Sequence, residues 1–235
     1  MKMLLAFRKG DALRHLGHLD LQRAMQRALR RSGLPVRYSR GFHPHMLTAF
    51  ASALAVGVSS DEEIVEVALD AATEPIDADD CLARMNAVLP EALRATKAVL
   101  VEDSHPARMG LLKQAGYAAR LPGADVPALF DALSAAVQAF LAEHEVMALR
   151  VSKRKEALVN IRPMVHALTV AAEEGGVRFE MRLSLEETAT LKPDLLLSTL
   201  WERAGLPPEG MPAPRLRRTG LFGVREGRVV PLILL

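Results

Sequence analysis

Asp20-Leu21-Gln22-Arg23-Ala24-Met25-Gln26-Arg27-Ala28-Leu29-Arg30-Arg31-Ser32-Gly33-Leu34-Pro35 sets the reading of the first part of the chain. Leu21, Met25, Ala28 and Leu29 recur at the spacing of one helix face, with Arg23, Arg27, Arg30 and Arg31 on the others. Asp20 is the expected N-cap, Gly33 the stop, and Pro35 follows as a normal helix exit. A helix over residues 21–31 therefore sits between a short apolar strand at residues 2–7 and a short extended stretch at 36–39. Gly41-Phe42-His43-Pro44-His45 must be a loop, because Pro44 fixes its own φ and biases His43 to extended geometry.

Working outward, Ile64-Val65-Glu66-Val67-Ala68-Leu69 reads as a strand, residues 77–89 as a second helix with Asp77, Asp79 and Asp80 near its N-terminus, and residues 93–101 as extended chain. The order is β-α-β-β-α-β, a split β-α-β or ferredoxin-like half. The second half repeats the order without obvious residue identity. Residues 116–121 form a strand, 126–143 a helix and 146–152 a strand, and 157–162 extend a basic turn. Residues 166–172 and 177–185 form a hairpin around Glu173-Glu174-Gly175-Gly176, 193–204 a helix and 215–224 a final strand. The expected fold is α+β, two tandem ferredoxin-like domains with antiparallel sheets: residues 1–103, a linker at 104–115, and residues 116–235.

Composition narrows the class. The 235 residues are 50% apolar and 25% charged, which excludes wholesale disorder, and the 4% of aromatics predicts a core of Ala, Leu and Val. One cysteine, Cys81, excludes an internal disulfide framework and an iron–sulfur cluster carried by this chain alone. The helical setting of Cys81 marks it as a small core residue. No apolar run reaches about 18 residues and the start is too short for a signal peptide, so no membrane partner is expected and cytoplasm is the expected location.

The net charge of +2 hides a segregated pattern. Residues 1–50 carry ten Lys/Arg and two acids, whereas residues 51–105 carry twelve acids and three bases. Residues 150–162 and 215–228 each carry five bases and one acid. Such polarity suits a basic face for a polyanion.

Four of the seven histidines lie between His15 and His45. Three readings follow. His15, His18, Asp20, His43 and His45 are candidate ligands of a divalent metal, although no spacing matches a closed zinc motif. The same cluster suits RNA. Arg14, Arg27, Arg30, Arg31 and Arg40 would neutralise phosphates, His18, His43 and His45 would shape the site, and Phe42 would offer a ring for a base. Lys153, Arg162, Arg215 and Arg217 would add basic patches, with Arg215 and Arg217 on one side of a strand. In the third reading His18 or His45 is a general acid–base in metal-independent RNA cleavage. His105, His144 and His166 stand alone and read as structural. No Gly-rich phosphate loop, Gly-x-Ser-x-Gly or Cys-x-x-Cys is present.

Phe7-Arg8-Lys9-Gly10, Leu16-Gly17-His18-Leu19-Asp20-Leu21, Arg27-Ala28-Leu29-Arg30-Arg31-Ser32-Gly33-Leu34-Pro35 and Tyr38-Ser39-Arg40-Gly41-Phe42-His43-Pro44-His45 resemble the radical-SAM-associated protein family. That is a bacterial domain of unknown function found beside or fused behind radical SAM enzymes. Residues 153–163, ending in Ile161-Arg162-Pro163, fit as well. Gly17 stands where the family usually has Ser, and His43-Pro44-His45-Met46 where it often has Asn-Pro-His-Pro. The resemblance implies a radical SAM partner and assigns no activity. A weaker likeness, in fold only, is to tandem ferredoxin-like RNA-binding proteins that process CRISPR transcripts. The expectation is an RNA-binding accessory protein without a cofactor of its own, which presents tRNA or rRNA to a radical SAM enzyme. The alternatives are a metal-independent endoribonuclease and a protein-only scaffold that uses acidic residues 61–80.

Overall fold

The computed structural model describes residues 1–71, 75–152 and 155–235. In chain order the elements are β1 (Lys2–Lys9), α1 (His18–Ser32), β2 (Thr48–Phe50), β3 (Ser59–Ala68), α2 (Ala78–Val88) and β4 (Ala95–Val101). They continue with α3 (Arg108–Leu111), β5 (Gln114–Pro122), α4 (Val126–Ala142), β6 (Met147–Ser152) and β7 (Lys155–Asn160). β8 (Val165–Glu173), β9 (Gly176–Ser184), α5 (Pro193–Arg203), β10 (Arg215–Arg225) and β11 (Arg228–Pro231) complete the chain. The fold is mixed α+β with antiparallel strand pairs. No helix among the described residues is long and apolar enough to cross a membrane.

The chain divides into two compact units, residues 1–112 with 220–235, and residues 113–219. This differs from the expected boundaries. Residues 104–115 are not a bare linker but carry α3 and the start of β5, and the last sixteen residues return to the first unit. Leu232 and Ile233 account for that return, since both are buried.

In the first unit β1 is flanked by β4 and β3, and β2 lies on β3. Met3, Leu5 and Phe7 of β1 share one buried cluster with Leu21, Met25, Ala28 and Leu29 of α1 and with Cys81 and Met85 of α2. The helix face read from sequence is therefore the face that is buried. The ends of α1 are partly as expected. Gly33 closes it in the left-handed conformation, φ 71°. Its start lies earlier than expected: Gly17 is the N-cap and provides no side-chain bond, so Asp20 sits inside the first turn. There its carboxylate accepts from Arg23 at 3.1 Å and favours the helix dipole. In α2 the cap is Asp77, which accepts from the backbone N–H groups of Asp79 and Asp80.

The expected strand at 36–39 reduces to two isolated bridges, Val36 with Leu69 and Tyr38 with Met46, because Pro35 and the loop after Ser39 leave no run to pair. In the second unit β9 lies between β5 and β8, and β8 and β9 form the expected hairpin. Gly176 is required there, since a Cβ would meet the Leu121 carbonyl oxygen at 2.3 Å. The stretch that extends the basic turn toward Arg162-Pro163 is mostly β7, which pairs with β6 from Met147↔Asn160 to Ser152↔Lys155. The core of this unit is built from Leu133, Val137 and Phe140 of α4, Leu196, Leu200 and Trp201 of α5, and Phe179 and Leu183 of β9.

Candidate nucleic-acid interface

The approach to α1 is built around a buried cation. Lys9 is 1% exposed, and its ammonium donates to the carbonyls of Arg14, Leu16 and Val58 at 3.0, 2.9 and 3.2 Å. These bonds pin the segment carrying the histidine motif to the strand that precedes it. His18 opens α1 with its ring edge-on to Phe50, centroids 5.3 Å apart, and Phe50 in turn meets Phe7 at 6.0 Å. The Nδ1 of His18 is buried without a hydrogen-bond partner among the described residues.

The four imidazoles have different surroundings. His15 accepts from Nε of Arg14 at 3.0 Å, and Arg14 also pairs with Asp11 at 3.3 Å. His45 closes the loop: its Nδ1 lies 2.8 Å from the Ser39 hydroxyl, and its backbone N–H donates to the same oxygen at 3.1 Å. His43 is exposed beside it. Among the described residues no group of three or more His, Cys, Asp or Glu is placed to hold a metal ion. The alternative ligand set His15, His18, Asp20, His43 and His45 is therefore not assembled. Two of these imidazoles are turned to neighbours in their own segments and His18 faces a ring.

The arginines sort into engaged and uncommitted groups. Arg31 donates to the carbonyl of Val88 at 2.8 Å, where it caps the end of α2. Arg27 and Arg30 on α1 and Arg40 in the loop are exposed and make no ion pair with the described residues. Beside Arg40, Gly41 takes φ 124° and Phe42 stands with its whole side chain in solvent, while Tyr38 is 45% exposed. A fully exposed ring two residues from an uncommitted cation, Arg40, is a surface on which an unpaired base can stack.

In the second unit the candidate basic residues have different surroundings. Lys153 lies outside the described residues. Arg162, a candidate phosphate contact by sequence, instead donates its guanidinium to the carbonyls of Val165 and Leu141 at 3.3 and 3.1 Å and lies 5.7 Å from the Phe140 ring centre. Its position at the end of α4 makes it an internal clamp. Arg215 and Arg217 are exposed on β10 and alternate with buried Leu216 and Arg218.

One pair escaped the sequence reading. Nε2 of His166 lies 2.8 Å from the hydroxyl of Ser184, a residue 5% exposed, and burial, aided by the Arg182 charge, holds the imidazole below its usual pKa. Only the β8–β9 register brings these two together, so no local pattern announces them. In the first unit the N-terminal ammonium and then Arg37 hold the Asp103 carboxyl below the usual range.

Comparison with known proteins places the chain. A family model described as "Uncharacterized protein conserved in bacteria (DUF2344)" matches residues 2–193. The chain belongs to that family. The description of DUF2344 names no radical SAM enzyme and no activity. No curated protein matches this DUF2344 chain. Among solved structures it is similar to a chain from the crystal structure of a Cbf5-Nop10-Gar1 complex, with a TM-score of 0.51 and 16% identity over 93% of this chain and 48% of that one. The DUF2344 chain thus spans about half the length of that solved chain, and at this identity the likeness is one of fold. A chain of an unknown protein from Galdieria sulphuraria matches with a TM-score of 0.23 and 12% identity over 92% of this chain and 97% of that one, too low to carry an argument.

Proposed function

We propose that this protein is an RNA-binding accessory protein of the cytoplasm that presents tRNA or rRNA to a separate radical SAM enzyme. The observation that carries the RNA part is the exposed set Arg27, Arg30 and Arg40 with Phe42, in a segment of +8 charge. Cations without a partner among the described residues can neutralise phosphates and release their counterions, and an exposed ring adds sequence-tolerant stacking. The partner follows from the motif resemblance around His18 and His45. With its one cysteine buried in α2, this chain would leave the cluster to that partner.

The finer fold reading belongs to the same proposal. The strand order β4-β1-β3-β2 in the first unit and β5-β9-β8 in the second, in which β10 begins at Arg215, support two split β-α-β units, the second with the β6–β7 hairpin inserted. The endoribonuclease alternative is less favoured, because His18 packs on Phe50 and His45 is tied to Ser39.

The test is equilibrium binding of labelled tRNA and rRNA fragments over a series of salt concentrations. Replacing Arg27, Arg30 and Arg40 by Ala is expected to weaken binding and flatten the log–log salt slope by about 2, at roughly 0.7 per lost single-strand phosphate contact. An unchanged slope contradicts the reading. Cleavage of the RNA in excess EDTA, lost in His45→Ala, would favour the nuclease instead. Co-purification of the radical SAM enzyme from RNase-treated lysate, with no RNA bound, would favour a scaffold.

A further inference from the structure

The second unit holds a cavity of about 650 Å3, walled by β6, by the start of α5 with the residues before it, and by residues 211–214. That volume lies in the range of small-molecule sites, about 300–1,000 Å3. Its apolar wall includes Leu149, Val151 and Leu195. Leu149 and Val151 are 51% and 65% exposed, large apolar side chains left without cover.

The polar groups of the wall are mostly satisfied from within. The Ser198 hydroxyl donates to the Leu195 carbonyl at 3.1 Å, and the Thr190 hydroxyl donates to Glu186 at 2.6 Å. Arg150 donates to the Thr190 carbonyl at 2.6 Å. What remains is Lys192, which is exposed and has no partner among the described residues. The one acid of the wall among the described residues, Asp194, lies in the first turn of α5, where the helix dipole favours its charge. An apolar hollow with two cations, one of them uncommitted, and one locally compensated acid selects an apolar body that ends in a single negative group.

We propose that this cavity binds a small amphipathic carboxylic acid, with its hydrocarbon chain against Leu149, Val151 and Leu195 and its carboxylate at Lys192. The site is independent of the RNA reading and uses none of its residues.

The probe is decanoate, titrated into the full chain and read by the methyl NMR signals of Leu149, Val151 and Leu195, with decanol and decyltrimethylammonium as neutral and cationic controls. Saturable shifts at these methyls are expected. Decanoate should bind about two- to five-fold tighter than decanol, the scale of one exposed ion pair, and the cation more weakly than either. Lys192→Gln should abolish the preference for decanoate and leave decanol affinity unchanged. Leu195→Trp should block both. If its thermal melt shows misfolding, Val151→Trp, at an exposed position, supplies the same blockade. Absence of saturable shifts, shifts confined to other methyls, or equal affinity for decanoate and decanol would overturn the proposal.

Discussion

Lys9 shows how one side chain organises a region. A buried ammonium is tolerated only where its donors are used, and here three carbonyls from two separate stretches receive them. Lys9→Met removes the charge and strands those carbonyls. The expected loss is roughly 3 kcal/mol of stability, read as a lowered urea midpoint. A midpoint equal to that of the unchanged protein would show that the bonds do not hold the segment. His166 offers a pH prediction. Its folded pKa lies below the unfolded value of about 6.5, so the unfolded chain takes up the proton first. The contribution of His166 is full above pH 6.5 and is lost as pH falls through that value toward the lower folded pKa. His166→Gln should remove this component, so that the stability difference between the two proteins shrinks on acidification across that window. A constant difference would refute the assignment.

At the scale of the element, helix ends decide more than helix centres. Gly33 ends α1 at φ 71°, and nothing lies within 4 Å of where its Cβ would be. Gly33→Ala therefore meets no clash and is penalised only by backbone conformation, which gives an expected cost of about 1 kcal/mol in chemical denaturation. A larger loss would mean that the cap also packs. The β6–β7 hairpin is the opposite case. Met147, Leu149, Val151 and Leu158 are each at least half exposed, and a two-stranded sheet gains little stability by itself. The strand at β6 and the alternating stretch before Arg162 are legible in the sequence, but the register between them is fixed only by the pairing.

For the whole molecule, the return of residues 220–235 to the first unit has a direct consequence. Leu221, Leu232 and Ile233 are buried, so a chain stopped after Thr219 loses apolar cover that the first unit requires. Such a truncation should melt at lower temperature than the full chain by calorimetry. An unchanged first transition would show that the first unit is complete without its C-terminal piece.

The long elements β1, α1, β3, α2 and β4, the buried face of α1 and the hairpin at Gly175-Gly176 were readable from local patterns, because helix and strand periods are properties of neighbouring residues; the short β2 at Thr48–Phe50 was not, and the strand expected at 36–39 is absent. The exposure of Arg27 and Arg30 was readable for the same reason. The engagement of Arg162 with Leu141 and of His166 with Ser184 was not, because each partner is supplied by chain folding back. By itself the sequence determined the buried face of α1, the helices and longer strands, where positive charge would gather, and that one thiol would serve the core. Tertiary structure alone decided which of those cations stay uncommitted, that the imidazoles do not form one cluster, and that the last residues complete the first unit. Hydrogen bonds and burial pair groups by distance in space, and distance along the chain carries no record of them.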